Sequence, residues 1–206
     1  MTTQELHEKY GEQQVIVLPE SAIKNLPASI SPSFYSGRRW SPPYHKAFPM
    51  PRYLAETDPT HKQLVGYTLL RQVGTDRIFV TERIAGDHRL IGKCSLGTGG
   101  HVEPDEAILT SIFRELEEEV GIQLKDASNF DILGFIYDDS SEVNSVHFGI
   151  VPLITVPEQV HVTVRETDKL RGHWMCVESV KALRDAGRLE SWSEIVFDAL
   201  LAKECV

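Results

Sequence analysis

The densest concentration of chemically useful side chains lies in GHVEPDEAILTSIFRELEEEVGI, residues 100–122. Pro104 suits the first turn of a helix and Gly121 its end, so the spacing predicts a helix over residues 106–120. At about 100° per residue, Leu109, Ile112, Phe113, Leu116 and Val120 form an apolar stripe. Glu115, Glu118 and Glu119 gather on a neighbouring side, whereas Glu117 points away from them. Ala107 and Ser111, above the trio, are small enough to leave room for a ligand. Like charges at i,i+3 and i,i+4 each cost roughly 0.2–0.5 kcal/mol, and glutamates at a helix C-terminus oppose the macrodipole. Such a run reads either as a solvated acidic face or as a place for a hard cation. Mg²⁺ takes carboxylate oxygens as ligands and would remove the repulsion.

Other segments must hold this helix in place. Just before it, Gly97-Thr98-Gly99-Gly100 allows a tight turn that brings main-chain groups close to the carboxylates. Upstream, residues 63–72 and 76–84 read as strands joined in a hairpin at Gly74. Downstream, 131–137 and 146–156 read as strands flanking the polar stretch DDSSEVNS, 161–166 alternates like a strand, and 173–177 is a further strand. Residues 179–186 and 191–203 read as helices. This order suggests an α/β/α sandwich around a mixed sheet, formed by residues 61–206. Residues 1–60 read as an irregular, Pro-rich N-terminal extension packed on that domain. Its first 14 residues are polar and expected to fray, and 14–19 is a short strand. Prolines across 22–59 prevent long helices or central strands, while the aromatics among them speak against disorder.

Charge narrows the function further. The 206 residues carry 21 Lys+Arg against 30 Asp+Glu, a formal net charge of −9. That balance argues against non-specific binding to nucleic acid or an anionic membrane. A polyanionic substrate would therefore need a cation or a local basic pocket. No apolar run reaches the length of a membrane span, and the first 14 residues lack the apolar stretch of a signal peptide. Cys94, Cys176 and Cys205 have no metal-ligand spacing and fit reduced thiols, so a cytoplasmic protein is expected.

The pattern of Gly100, Glu106, Arg114-Glu115-Leu116, Glu118-Glu119 and Gly121-Ile122 matches the full Nudix box, both apolar positions included. The chain resembles the Nudix hydrolase superfamily and is similar to a bacterial subgroup of Nudix phosphoesterases. The resemblance implies Mg²⁺- or Mn²⁺-dependent hydrolysis of a diphosphate bond in a nucleoside diphosphate linked to another group, with water as the nucleophile. It makes Glu118 and Glu119 metal ligands, Glu115 a ligand or the base acting on water, and the Gly99 carbonyl a further ligand. Arg114 would orient the Glu115 carboxylate; Gly100, Glu106 and Gly121 would support the loop and helix. A further carboxylate, in some relatives the base, would come from Glu166 first or Glu142 second.

Arg83, Arg89 and Lys93 flank the loop before the box as candidate substrate-binding cations, or else as solubilising charges. A homodimer is compatible with the resemblance. In the extension, Arg38, Arg39, Trp40, Tyr44 and Arg52 would form a belt against the sheet, close over a substrate, or make a dimer contact. The rival readings are a nucleotide-sensing domain that does not cleave, whose mark would be a damaged box, and a hydrolase of non-nucleotide diphosphates. Tyr137, Phe148, Trp174 and Trp192 are expected in the core. The histidines lack zinc spacing, and Ser95 and Ser111 lack the context of a serine nucleophile.

Overall fold

A computed structural model describes residues 2–23, 33–37, 41–86, 88 and 90–204. The chain opens with helix α1 (Thr3–Tyr10), where a fraying segment was expected. Thr2 and Glu5 form a reciprocal capping box at its start, and Leu6 is buried beneath it. Such caps satisfy amide groups that the first turn leaves unpaired. Strand β1 (Gln14–Pro19), a single turn of helix α2 (Glu20–Ile23), β2 (Ser33–Ser36), β3 (Phe48–Pro51) and another short helix α3 (Arg52–Ala55) follow. The prolines of β3 are tolerated because that strand lies at the sheet's edge, beyond β1.

The segment expected as one strand over 63–72 is two, β4 (His61–Gly66) and β5 (Thr68–Gln72), divided at Tyr67. After β6 (Ile78–Arg83) come the short β7 (Cys94–Ser95) and β8 (Gly97–Thr98), helix α4 (Ile108–Val120), β9 (Asn129–Tyr137), helix α5 (Glu142–Ser145) and β10 (His147–Val156). The chain closes with β11 (Leu170–Met175) and helices α6 (Val177–Asp185) and α7 (Ser191–Glu204). Residues 161–166 are not a strand: Thr163 and Arg165 donate their amides to the carbonyls of Val120 and Glu119, at the end of α4.

Strand β10 organises the mixed sheet. Its first half runs parallel to β4, with Phe148 opposite Leu64, and its second half parallel to β5, with Ile154 opposite Leu70. Its other edge pairs antiparallel with β9, through an irregularity at Pro152, which has no amide to donate. β4 continues antiparallel to β1, while β5 leads through the Gly74 turn to β6 and then β11.

Alternating side chains of these strands face opposite layers. Leu70, Phe79 and Ile154 pack with Ile112, Leu116 and Val120 of α4, whereas Leu69 and Val151 pack with Val196 of α7. Val80 likewise meets Val180 of α6 and Phe197 of α7. The result is the expected α/β/α sandwich. Tyr137 and Phe148 are buried, and Trp174 and Trp192 pack against the core.

Helix α4 differs from its expected form at its start. It begins at Ile108 after an extended Ala107, not at 106. Pro104 sits in a turn that also places Asp105 at φ 65°. Leu109, expected in the apolar stripe, is 43% exposed, while Ile112 and Leu116 are 2% and 0% exposed. Leu116→Ala is expected to destabilise the fold by about 2–5 kcal/mol, and Leu109→Ala by less than about 1 kcal/mol. Urea unfolding of both variants checks the assignment of the buried face.

Candidate active site

The break between β4 and β5 is where the glycine loop attaches. Gly66 donates to the Gly100 carbonyl, His101 bridges to Val65, and Gly97 and Thr98 pair with Leu69 and Thr68. The loop is therefore fastened to both half-strands and lies against α4. Two of its glycines are required by the crowding. Gly99 has φ 144°, and a Cβ there would lie 2.5 Å from the Gly66 carbonyl oxygen. At Gly100 a Cβ would lie 2.6 Å from the Glu115 carboxyl carbon. A side chain at either position would displace the backbone or the carboxylate.

Four glutamates surround Arg114. Its Nε donates to Glu106 at 3.1 and 3.3 Å, and its Nη1 to Glu115 at 2.8 Å and to Glu118 at 3.5 Å. Nη2 donates to the His101 carbonyl and lies 3.7 Å from Glu103. Glu106 precedes the helix and accepts from Ser111 as well as Arg114, which together hold its carboxyl below the usual carboxylate range. Ser111 is thus buried and spoken for; it does not leave room for a ligand. Gly121 has φ 73° and ends α4 in the left-handed conformation, its amide donating to the Leu116 and Glu117 carbonyls.

Glu119 points back under the loop and accepts the Gly99 amide at 2.9 Å. Burial, with the charges of Glu115, Glu166 and Glu118 adding to it, pushes its carboxyl up to about 7 despite that bond. Burial raises Glu115 as well, against the pull of Arg114. Two carboxyls held above their ordinary range, beside a third at Glu118, are an unfavourable arrangement that a divalent cation relieves. Glu115, Glu118 and Glu119 offer carboxylate oxygens, the kind of donor that such an ion takes.

Beyond Glu119 a cavity of about 200 Å³ opens between the sheet and the loop, lined by Arg83, Ser95, Tyr67 and Glu190 among others. Arg83 therefore lies at the site. Lys93 instead donates to the Gly187 carbonyl and does not line this cavity. Arg89, with Arg38, Arg39 and Trp40, lies outside the described residues. Glu166 is paired with Lys169 at 3.1 Å, yet its charge acts on Glu119. Glu142 caps no part of the site; it belongs to α5, where its carbonyl accepts from Ser145. In the extension, Tyr44 packs on the core, and Arg52 stacks on Tyr10 and pairs with Glu56.

Three features here had no signal in the residue spacing. Tyr67 joins the hydroxyls of Ser95 and Ser193 at 3.0 and 2.6 Å. Glu190 enters from the turn before α7. His101 and His147 meet Nε2 to Nε2 at 3.2 Å. Burial lowers the affinity of both rings for a second proton, His101 to about 2, so the pair is neutral and one ring donates to the other. Only the reach of His101 from the box, one residue past Gly100, hinted at this neighbourhood.

A mixed sheet between helices, with a glycine loop clamped over an arginine-braced carboxylate helix, defines the Nudix hydrolase class. The chain belongs to that family: the NUDIX domain model matches residues 59–194, and the protein is an enzyme of this class. It is 37% identical over 155 residues to protein YmaB of Bacillus subtilis (strain 168), covering 71% of this chain and 74% of that one. Its fold is similar to that of Tm1382, described as a candidate Nudix hydrolase, with TM-score 0.72, 24% identity, and coverage of 92% of this chain and 99% of that one. DR0079 from Deinococcus radiodurans shares the fold at TM-score 0.54 and 15% identity, covering 81% and 97% of the respective chains.

The raised Glu119 carboxyl makes stability depend on pH. The folded state holds this proton up to about pH 7, the unfolded chain only to about 4.5, so stability falls as pH rises between these values and levels off above 7. At about 1.4 kcal/mol per pKa unit, the loss reaches at most about 3 kcal/mol. Urea unfolding in EDTA between pH 4.5 and 8 should show this decline, Glu119→Gln should flatten it, and Mg²⁺ should oppose it at pH 7.5.

Proposed function

We propose that the protein hydrolyses a diphosphate bond in a nucleoside diphosphate linked to another group, with Mg²⁺ or Mn²⁺ as cofactor and water as nucleophile. The observation that carries this reading is the intact carboxylate set around Arg114 and the Gly99–Gly100 turn, with Glu115 and Glu119 both held above the ordinary carboxylate range. Glu115, Glu118 and Glu119 would hold the cation, with the Gly99 carbonyl as a further ligand. When bound, such a cation supplies charge neutralisation for the pyrophosphate oxygens and the acidity that a water nucleophile requires.

The chain's own groups supply the rest. Arg114 fixes the rotamers of Glu115 and Glu118 against each other's repulsion, so the carboxylates are in position before a substrate arrives. Burial raises the proton affinity of Glu119 in the metal-free protein, and a bound cation would displace that proton. Glu166, on the loop bonded to the end of α4, is the next carboxylate within electrostatic reach and supports a role in proton removal or in a second ion's binding. Glu142 has no such link. Arg83, lining the adjoining cavity, contacts the substrate.

The net charge of −9 favours a small substrate bound through the cation over a nucleic-acid polymer. The intact box favours turnover over a non-catalytic sensor.

The decisive assay is phosphate release from a panel of nucleoside triphosphates, nucleotide sugars, ADP-ribose and dinucleoside polyphosphates, with Mg²⁺ or Mn²⁺. Glu118→Gln should lower turnover at least about a hundredfold, since loss of even an outer partner of a metal ligand costs 10–100-fold, and should leave the melting temperature equal or higher. Glu117→Gln, whose parent side chain bonds Gln123 on the far side, should retain turnover within about twofold. Equal loss in both variants would reject the assignment of the carboxylates. Glu166→Gln should depress turnover more than Glu142→Gln; the reverse order would reject Glu166.

A further inference from the structure

The cavity beyond Glu119 holds two charged groups that the cleavage chemistry does not use. Arg83 and Glu190 both line it, and their charges act on each other, yet they do not close into an ion pair or a hydrogen bond. Arg83 Nε is buried and has no hydrogen-bond partner among the described residues. The Glu190 carboxylate accepts no hydrogen bond among the described residues, and burial holds it above the ordinary carboxylate range in spite of Arg83 and Lys93. Buried donors are almost always paired, so the unpartnered Arg83 Nε, with the Glu190 carboxylate lining the same cavity, marks a site for something that meets both groups.

Their chemistry limits what that is. A phosphate would meet Arg83 but also the carboxylates of Glu190 and Glu119, so the cavity is poorly suited to an anion. Its apolar walls include Val120, Val164 and Leu170, which suit the faces of a planar ring. About 200 Å³ exceeds the roughly 150 Å³ that admits benzene, enough for a one- or two-ring heterocycle with its sugar and phosphates outside. Glu190 offers two acceptor oxygens and Arg83 a donor. The complementary edge carries two adjacent N–H donors beside a carbonyl. Guanine has this edge; hypoxanthine lacks one donor, and adenine presents one donor beside a ring nitrogen.

We propose that this cavity is the specificity subsite for the non-reacting end of the substrate and that it reads a 2-amino-oxo heterocycle of the guanine type. Glu190 accepts from the two N–H groups and Arg83 donates to the carbonyl. The inference deepens the hydrolase reading, because the cavity's wall at Glu119 is shared with the carboxylate site, so that a seated ring directs its phosphates toward those carboxylates.

The test uses the full chain in EDTA, where hydrolysis cannot proceed, and calorimetric titration with guanosine, inosine and adenosine 5′-diphosphates. The guanosine compound should bind about ten- to a hundredfold tighter than the adenosine one, with inosine between. Glu190→Gln and Arg83→Lys should each bring the guanosine-to-adenosine ratio toward one, with circular dichroism confirming the fold. Equal affinities in the wild-type chain, or a preference that survives both substitutions, would overturn the inference. Failure of the two readings is separable. Mg²⁺-dependent hydrolysis without any ring preference overturns this inference alone, whereas a guanosine preference in EDTA without turnover in Mg²⁺ supports it and removes the hydrolase reading.

Discussion

A single guanidinium carries the structure of the site. Among the described residues, Arg114 is the one cation that holds Glu106, Glu115 and Glu118 together and also ties them to the His101 carbonyl. Without it, carboxylates spaced at i,i+3 and i,i+4 would repel each other unopposed, and the loop would be left with the Gly99–Glu119 bond to the helix. Burial raises Glu115 and Glu119, so the domain places these acids where water would stabilise them better. The cost is concentrated at Glu119, whose proton affinity burial brings near neutral pH, and groups shifted in this way cluster at functional sites.

The sheet makes this placement possible by breaking. β10 holds β4 and β5 in one line, but the interruption at Tyr67 frees the far edge of each half-strand for a different partner. β4 takes β1 and His101, and β5 takes Thr98 and then β6. The glycine loop enters at the point where these partners change. Tyr67 fills the gap between the layers and bonds Ser193 of α7, so both helical layers are joined to the loop. A strand that ran unbroken from 61 to 72 would leave no place for it.

The acidic trio and most apolar positions of α4 were legible in the sequence because they depend on contacts three or four residues apart, where helix geometry decides, whereas the expectation for Arg114 came from the family resemblance. The same reasoning failed where a local pattern yielded to a distant bond. Glu106 has the periodicity of the helix but is drawn out of it by Ser111 and Arg114, and Leu109 turns to solvent with that altered start. Residues 161–166 alternate like a strand, yet their amides bond to the end of α4 rather than to a neighbouring strand. Glu190 and the Tyr67–Ser193 bond had no signal at all. The latter spans 126 residues of sequence, and only the folded sheet brings such positions together.

The position of β1 also bears on what constitutes the smallest intact unit. The family match begins at residue 59, but residues 14–19 lie inside the sheet, between β3 and β4. A chain cut at the family boundary would therefore present β4 as a bare edge, with the buried Leu64 and Lys62 beside it. An uncovered edge of this kind recruits strands from other molecules. During synthesis the order is reversed: β1 emerges first and meets β3 before β4, which follows more than forty residues later. The N-terminal strand thus covers the β4 edge that a cut at residue 59 would expose.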